Sequence, residues 1–197
     1  MSTPVVLVVC TGNVCRSPLL ERVLQDRFDS AAGPGSVRVR SAGTAALVGS
    51  GMDVRSAALL GDLGGGPAGD FTARRLSAGM VQEAALVLTA AREHRADVVR
   101  LDPRALRRTF TVREFAALLR HVPAEELPSW EDPGAALRQL TEGARGARGA
   151  LLTGGPLDLD IVDPYRRGDE VYVQVRDQVR AALGPLERAL SGGAATS

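Results

Sequence analysis

Cys10 and Arg16 stand six residues apart in the run Cys10-Thr11-Gly12-Asn13-Val14-Cys15-Arg16-Ser17-Pro18. These two residue types together suggest chemistry on an oxyanion. A thiolate is a strong nucleophile. A guanidinium is a planar fork of donors that matches two oxygens of a phosphoryl group. The pairing alone is weak, because all 24 basic residues of the chain are Arg and none is Lys. Context strengthens it. Gly12 removes a side chain where the loop must turn, and Asn13 tolerates a positive φ and can tie the loop together. Ser17 can donate its hydroxyl to the Cys10 sulfur or cap a following helix, and the two roles are compatible.

Such a loop needs a rigid base. Val5-Val6-Leu7-Val8-Val9 is a continuous, β-branched-rich run, as expected for a strand buried on both faces of a parallel sheet. After the loop, Pro18 suits a first helical turn, and Leu20, Val23, Leu24 and Phe28 recur on one helical face. A loop between strand and helix turns successive backbone N–H groups toward one point, and the helix start adds its positive dipole end. That field favours the thiolate form of Cys10. The alternation continues. Strands are predicted over 37–41, 85–89 and 108–112, and helices over 53–63, 77–83, 92–101, a stretch ending at Arg120, and 170–190, where Gly184-Pro185 suggests a kink. Alternating strands and helices predict an α/β fold with a parallel sheet, and ligands of such folds sit at the C-terminal strand ends.

On these residues the segment resembles the phosphate-binding loop of low-molecular-weight protein tyrosine phosphatases. Two further segments are similar to motifs of that family: Ser41-Ala42-Gly43-Thr44 after the second strand, and Asp163-Pro164-Tyr165 near the C-terminus. The resemblance covers about residues 4–121 and 158–190. It implies a four-stranded parallel sheet with helices on both faces. It implies Cys10 as nucleophile, Arg16 as phosphate clamp, Asp163 as general acid and Ser41 as the support of Asn13, with no metal and no cofactor. Thr11, Gly12, Asn13, Val14, Cys15 and Ser17 would complete the phosphate-binding loop. The implied substrate is a phosphotyrosine protein or a small phosphomonoester. Asp163 also has a physical case. The residue before a proline is held extended, which projects its side chain, and a dianionic phosphate nearby favours the neutral carboxyl that an acid must start from.

The chain departs from the family where substrate is gripped. The loop Thr44–Ser50 has no aromatic residue, so Leu47 or Val48 would serve as an aliphatic wall, with Tyr165 opposite and Arg166 where a second aromatic is common. Two rival readings share the fold: an arsenate reductase drawing on an external small thiol, and a non-catalytic phospho-ligand module. No cysteine follows Cys15 to relay a disulfide outward, and Arg-Ser-Pro replaces the reductases' usual Arg-Ser-Gln. Cys15 is either a small buried hydrophobe or, as the resemblance implies, the partner of an oxidised Cys10 in a protective disulfide.

The bulk properties limit the remaining possibilities. A net charge of +1 supplies no global field for nucleic acid or a membrane surface. Two cysteines in one loop make neither a secreted disulfide framework nor a four-cysteine zinc site. The apolar run at Pro4–Val9 is too short for a signal or a membrane span, so the cytoplasm is expected. At 197 residues the chain is expected to be a single domain over 1–197, with a surface insertion or mobile loop over 122–157 that holds one short helical candidate around 135–140, and a disordered tail over 191–197. His94 and His121 stand in no motif and are expected on solvated helix faces. Trp130, within the insertion, is expected to pack, and Arg74-Arg75 and Arg107-Arg108 are expected as solvated charge.

Overall fold

The computed structural model describes residues 3–151 and 158–192. Four strands, β1 (Val5–Cys10), β2 (Arg38–Gly43), β3 (Ala84–Thr89) and β4 (Thr109–Thr111), form one parallel sheet in the order β2-β1-β3-β4. The order reverses direction at β1. The chain leaves β1 toward β2 on one side and later returns to β3 on the other. The loop after β1 therefore opens into the crevice where ligands of such sheets bind.

Among the described residues eight α-helices follow the chain: α1 (Arg16–Ala32), α2 (Val54–Ala58), α3 (Ala78–Glu83), α4 (Arg92–Leu101), α5 (Val112–Leu119), α6 (Pro133–Gly146), α7 (Arg148–Leu151) and α8 (Asp169–Leu190). They cover both faces of the sheet. Val6 and Val8 pack toward one face with Leu20, Val23, Phe115, Leu118, Val175 and Leu186 from α1, α5 and α8. Leu7 and Val9 pack toward the other with Val81 and Val98 from α3 and α4. That two-sided burial is why β1 reads as an unbroken apolar run rather than an alternating one. The predicted helix over 53–63 is a short α2 followed by a 3-10 turn at Gly61–Leu63, ended by Gly64 in the left-handed region. Helix α8 runs on through Pro185.

The region 122–157, expected as a surface insertion or mobile loop, carries a 3-10 turn at Ala124–Glu126 and the helices α6 and α7 over its described part. Asp132 caps α6 by accepting from the Gly134 and Ala135 amides, and Pro133 starts the helix. Leu137 and Leu140 on one face are buried in the main core, a burial worth ~1.5–3 kcal/mol each. Trp130 sits edge-on to Phe28 at 5.5 Å and donates its indole N–H to the Ala189 carbonyl. Trp130 is thus a packing residue. The tail expected over 191–197 lies outside the described residues from 193 on, as does 152–157 within the insertion. Among the described residues no helix is long and apolar enough to cross a membrane.

Candidate active site

The segment between β1 and α1 folds back on itself because its carbonyls are bonded outward. Cys10 O accepts from Thr44 N, Thr11 O from Ala45 N, Gly12 O from Leu47 N, and Val14 O from Asp53 N, at 2.8–3.0 Å. In a trans peptide the C=O and the next residue's N–H point in opposite directions. The N–H groups of Thr11, Gly12, Asn13 and Cys15 therefore turn inward, as an anion nest requires. Asn13 takes the turn at φ +53°. Gly43 makes the outer wall fit, since a Cβ there would stand 2.5 Å from the Thr11 carbonyl oxygen. No side chain caps the start of α1, so its first-turn amides have no side-chain cap partner.

A chain of buried side chains fixes the loop from behind, and its proton directions follow from donor counting. The Asn13 amide gives one N–H to Ser17 Oγ (2.9 Å) and the other to Ser41 Oγ (2.8 Å), while its Oδ1 accepts from the Arg74 amide (2.9 Å). Ser41 donates to the Glu21 carboxylate. Ser17 Oγ, which accepts from Asn13, stands 2.9 Å from Cys10 Sγ, and its hydroxyl is the donor of that pair when the sulfur is a thiolate. The sequence left Ser17 open between supporting the sulfur and capping the helix. Of the two contacts only the one with the sulfur is present, since no side chain caps the start of α1.

Arg16 is almost fully buried, and its fork is placed by three partners. Nη1 donates to Ile161 O at 3.1 Å, and Nη2 to Thr11 Oγ1 at 3.2 Å and to Asp163 Oδ2 at 2.7 Å. Its Nε is buried with no hydrogen-bond partner. An unpaired buried donor costs about 1–3 kcal/mol, so this N–H is a place for an anion oxygen. Asp163 is brought to the loop by the extended stretch before α8, half exposed, with Oδ1 accepting from the Tyr165 amide at 3.2 Å. Cys10, Thr11, Gly12, Val14, Cys15, Arg16, Ala45, Leu47, Asp163 and Tyr165 together line a pocket of about 120 Å³.

Most of the residues singled out from sequence thus converge. Val48 does not. It is exposed and absent from the pocket wall, where Ala45 and Leu47 stand instead. Val48 directly precedes Gly49, where the chain turns at φ +85°. Cys15 is buried with its sulfur 3.9 Å from Tyr172 Oη, and burial followed by the Asp53 charge pushes its thiol up to about 11. The clearest correction is His94. It was expected on a solvated face, yet it is 1% exposed, with Nε2 2.8 Å from Thr11 Oγ1. Burial, then the Arg16 charge, lowers its pKa below the usual 6.5. Sequence reasoning also missed Glu21. Its signal was its spacing, one helical turn after Ser17 on the same face of α1.

A cysteine at the end of the first strand of a parallel sheet, inside a loop of inward amides with a buried arginine, defines a phosphate-loop protein of the α/β class. A sequence model described as low molecular weight phosphotyrosine protein phosphatase matches residues 5–128. A low molecular weight protein-tyrosine-phosphatase of Streptomyces coelicolor is 32% identical over 178 residues, 90% of this chain and 87% of that protein. The chain belongs to the low molecular weight protein tyrosine phosphatase family. Etp of Escherichia coli, another protein of that name, is 40% identical over 98 residues, a match spanning 50% of this chain and 62% of Etp. Among solved structures, the arginine phosphatase YwlE from Geobacillus stearothermophilus superposes with a TM-score of 0.63 at 26% identity, covering 93% of this chain and 90% of that one.

Proposed function

We propose that the chain hydrolyses phosphomonoesters, phosphotyrosine in proteins or small aryl phosphates, through a phosphocysteine at Cys10. One observation carries the reading: Cys10, whose sulfur lies 2.9 Å from the Ser17 hydroxyl, lines one small pocket with Asp163 and with Arg16, whose Nε is buried without a partner. In the first step the Cys10 thiolate attacks phosphorus. An S–P bond forms, the P–O bond to the leaving group breaks, and Asp163 gives its proton to the departing oxygen. In the second step water attacks the phosphocysteine while Asp163, now a carboxylate, takes the proton. The S–P bond breaks, and inorganic phosphate and the thiolate are released. Arg16 and the inward amides hold the non-bridging oxygens through both steps. Ser17 stabilises the thiolate as attacking and as leaving group.

The test is aryl phosphate hydrolysis in the presence of a chelator, with acid quench to trap phosphoprotein. Wild type should turn over and carry label on Cys10, and Cys10→Ser should do neither. Full activity in Cys10→Ser would remove the nucleophile from the proposal. Arsenate-dependent oxidation of a thiol, without phosphate release, would favour the reductase reading instead. A phosphoarginine arm belongs in the same panel. The pocket wall is aliphatic at Leu47, and YwlE on this fold is named an arginine phosphatase.

A further inference from the structure

We propose that His94 is a positioning residue for the anion loop: with Arg16 it fills the acceptor side of the Thr11 hydroxyl and so directs the Thr11 O–H into the pocket as a donor to the bound oxyanion. The proposal rests on the reading of this loop as a phosphate site.

His94 lies in the first turn of α4, just past the C-terminal end of β3. Because β3 pairs with β1, that turn stands beside the loop that follows β1. The imidazole is buried, and Nε2 meets Thr11 Oγ1 at 2.8 Å. Nδ1 is buried without a partner. A buried N–H with no acceptor is rarer and more costly than an under-used acceptor, which favours placing the proton on Nε2. The Glu93 carboxylate, 3.4 Å from Nε2, favours the same tautomer. Burial and the nearby Arg16 charge keep the ring neutral. His94 Nε2–H therefore donates to Thr11.

Donor counting completes the argument. Thr11 Oγ1 has two lone pairs and one proton. It accepts from His94 Nε2 and from Arg16 Nη2, the latter at 3.2 Å. Both lone pairs are then used, and the hydroxyl proton must point elsewhere. Thr11 lines the pocket with Cys10, Arg16 and Asp163, so the free direction is toward the anion. The same contact restrains Arg16 Nη2, whose second proton goes to Asp163. His94 touches neither phosphorus nor leaving group. It acts through Thr11 and Arg16.

The tautomer is measured first, on ¹⁵N-labelled wild type by long-range ¹H–¹⁵N correlation, with His121→Gln to assign the second ring. A proton on Nε2 is expected, and a proton on Nδ1 overturns the proposal. Affinity for inorganic phosphate is then measured by calorimetry, and kcat and KM for an aryl phosphate by steady-state kinetics. Thr11→Val and His94→Leu should each weaken phosphate binding and kcat/KM about ten- to hundredfold, the worth of a hydrogen bond to a charged group. His94→Gln, which keeps a donor near the Nε2 position, should recover most of the loss. The Thr11→Val/His94→Leu double variant should lose no more than the worse single variant, because the two act on one contact. Losses that multiply, wild-type phosphate affinity in folded His94→Leu, or failure of Gln to rescue would each overturn the proposal. If His94→Leu does not fold, wild-type affinity in Thr11→Val overturns it alone. Should wild type bind phosphate but hydrolyse no ester, the proposed function fails while the binding arms still judge His94. Absence of phosphate binding by wild type would overturn both.

Discussion

At the floor of the pocket Asn13, Ser17 and Ser41 are fully buried, and Glu21, Asn13 and both serines are joined in one directed chain of hydrogen bonds. At the mouth Leu47 and Tyr165 are each 39% exposed, the Asp163 side chain 49%, and Arg166 reaches over the Tyr165 ring at 5.2 Å. The two regions meet around the same small volume but are restrained to different degrees. The floor is determined several times over, as a site must be that stabilises charge without reorganising. The mouth has few ties and is free to differ among chains that share the floor. On the proposed mechanism the floor holds the phosphoryl group, and the mouth, with Asp163 and the Leu47 wall, meets the leaving group.

That division can be broken from the mouth side by Asp163→Asn. Poor leaving groups need the proton most, so phosphotyrosine turnover should fall ~10²–10⁴-fold and a highly activated aryl phosphate far less. The measurement is kcat against leaving-group pKa. Equal losses across the series, with folding intact, would strip Asp163 of the acid role. Leu47→Trp tests the wall. An added aromatic contact is worth ~0.5–1.5 kcal/mol, so kcat/KM for phosphotyrosine should rise several-fold relative to a small alkyl phosphate. An unchanged ratio would mean that the wall does not meet the substrate.

Cys15 tests the boundary between the two regions. A sulfenic acid at Cys10 needs a thiolate at Cys15 to form a disulfide, and that thiol is pushed up to about 11. Mild peroxide should inactivate wild type, with thiol-reversible recovery that grows as the pH of the oxidation is raised from 7 to 9. Cys15→Ser should be active but lose most of that recovery, and mass spectrometry should find a Cys10–Cys15 link only in wild type. Irreversible loss in both proteins would leave Cys15 as packing.

The smallest effect is on stability. The folded His94 pKa lies below the usual 6.5, held down by burial and then by Arg16, against Glu93, Asp97 and Asp163, which raise it. Just below pH 6.5 the unfolded chain thus binds more protons at this site than the folded one, and stability rises with pH in that window. The contribution is complete above about pH 6.5 and is lost as pH falls toward the lowered folded value. Tm of wild type minus Tm of His94→Gln should shrink between pH 7.5 and 5.5. A constant difference would mean that the ring does not titrate as its burial requires.

The loop from Cys10 to Arg16 and the elements that flank it were legible in sequence because they are local, whereas Ser41 came from the family resemblance and Glu21 was missed. A β-branched run, a Cys-x5-Arg loop and a proline-started helix follow one another within residues 5–28, and each is specified by its own neighbours. Asp163 was singled out by the resemblance of Asp163-Pro164-Tyr165 to a family motif, since an Asp-Pro pair alone reads as a plain turn. His94 was not. Its burial depends on β3 lying beside β1, a fact of strand order that no window around residue 94 contains. The packed helix α6 was under-read for a different reason. The sequence offers a short helical candidate around 135–140, but the helix runs over Pro133–Gly146, where Gly, Ala and Arg flank the two large core residues Leu137 and Leu140. Val48 failed as a wall because alternation around a turn at Gly49 does not say which of two adjacent side chains faces inward.

Gly43 shows what such a floor does to a map of mutational sensitivity. It touches no substrate and carries no chemistry. The Thr11 carbonyl, which any Cβ at position 43 would strike, is backbone and already bonded to Ala45, so neither partner can give way cheaply. In a saturation scan scored by survival of function, every substitution at 43 should register as a loss comparable with those at Cys10 and Arg16. Read alone, the scan would place a glycine among the catalytic residues. Separating the two kinds of intolerance takes an assay of folded protein beside the assay of turnover. On the proposed mechanism Cys10→Ser should keep the fold and lose the reaction, whereas Gly43→Ala should displace the loop and lose both together.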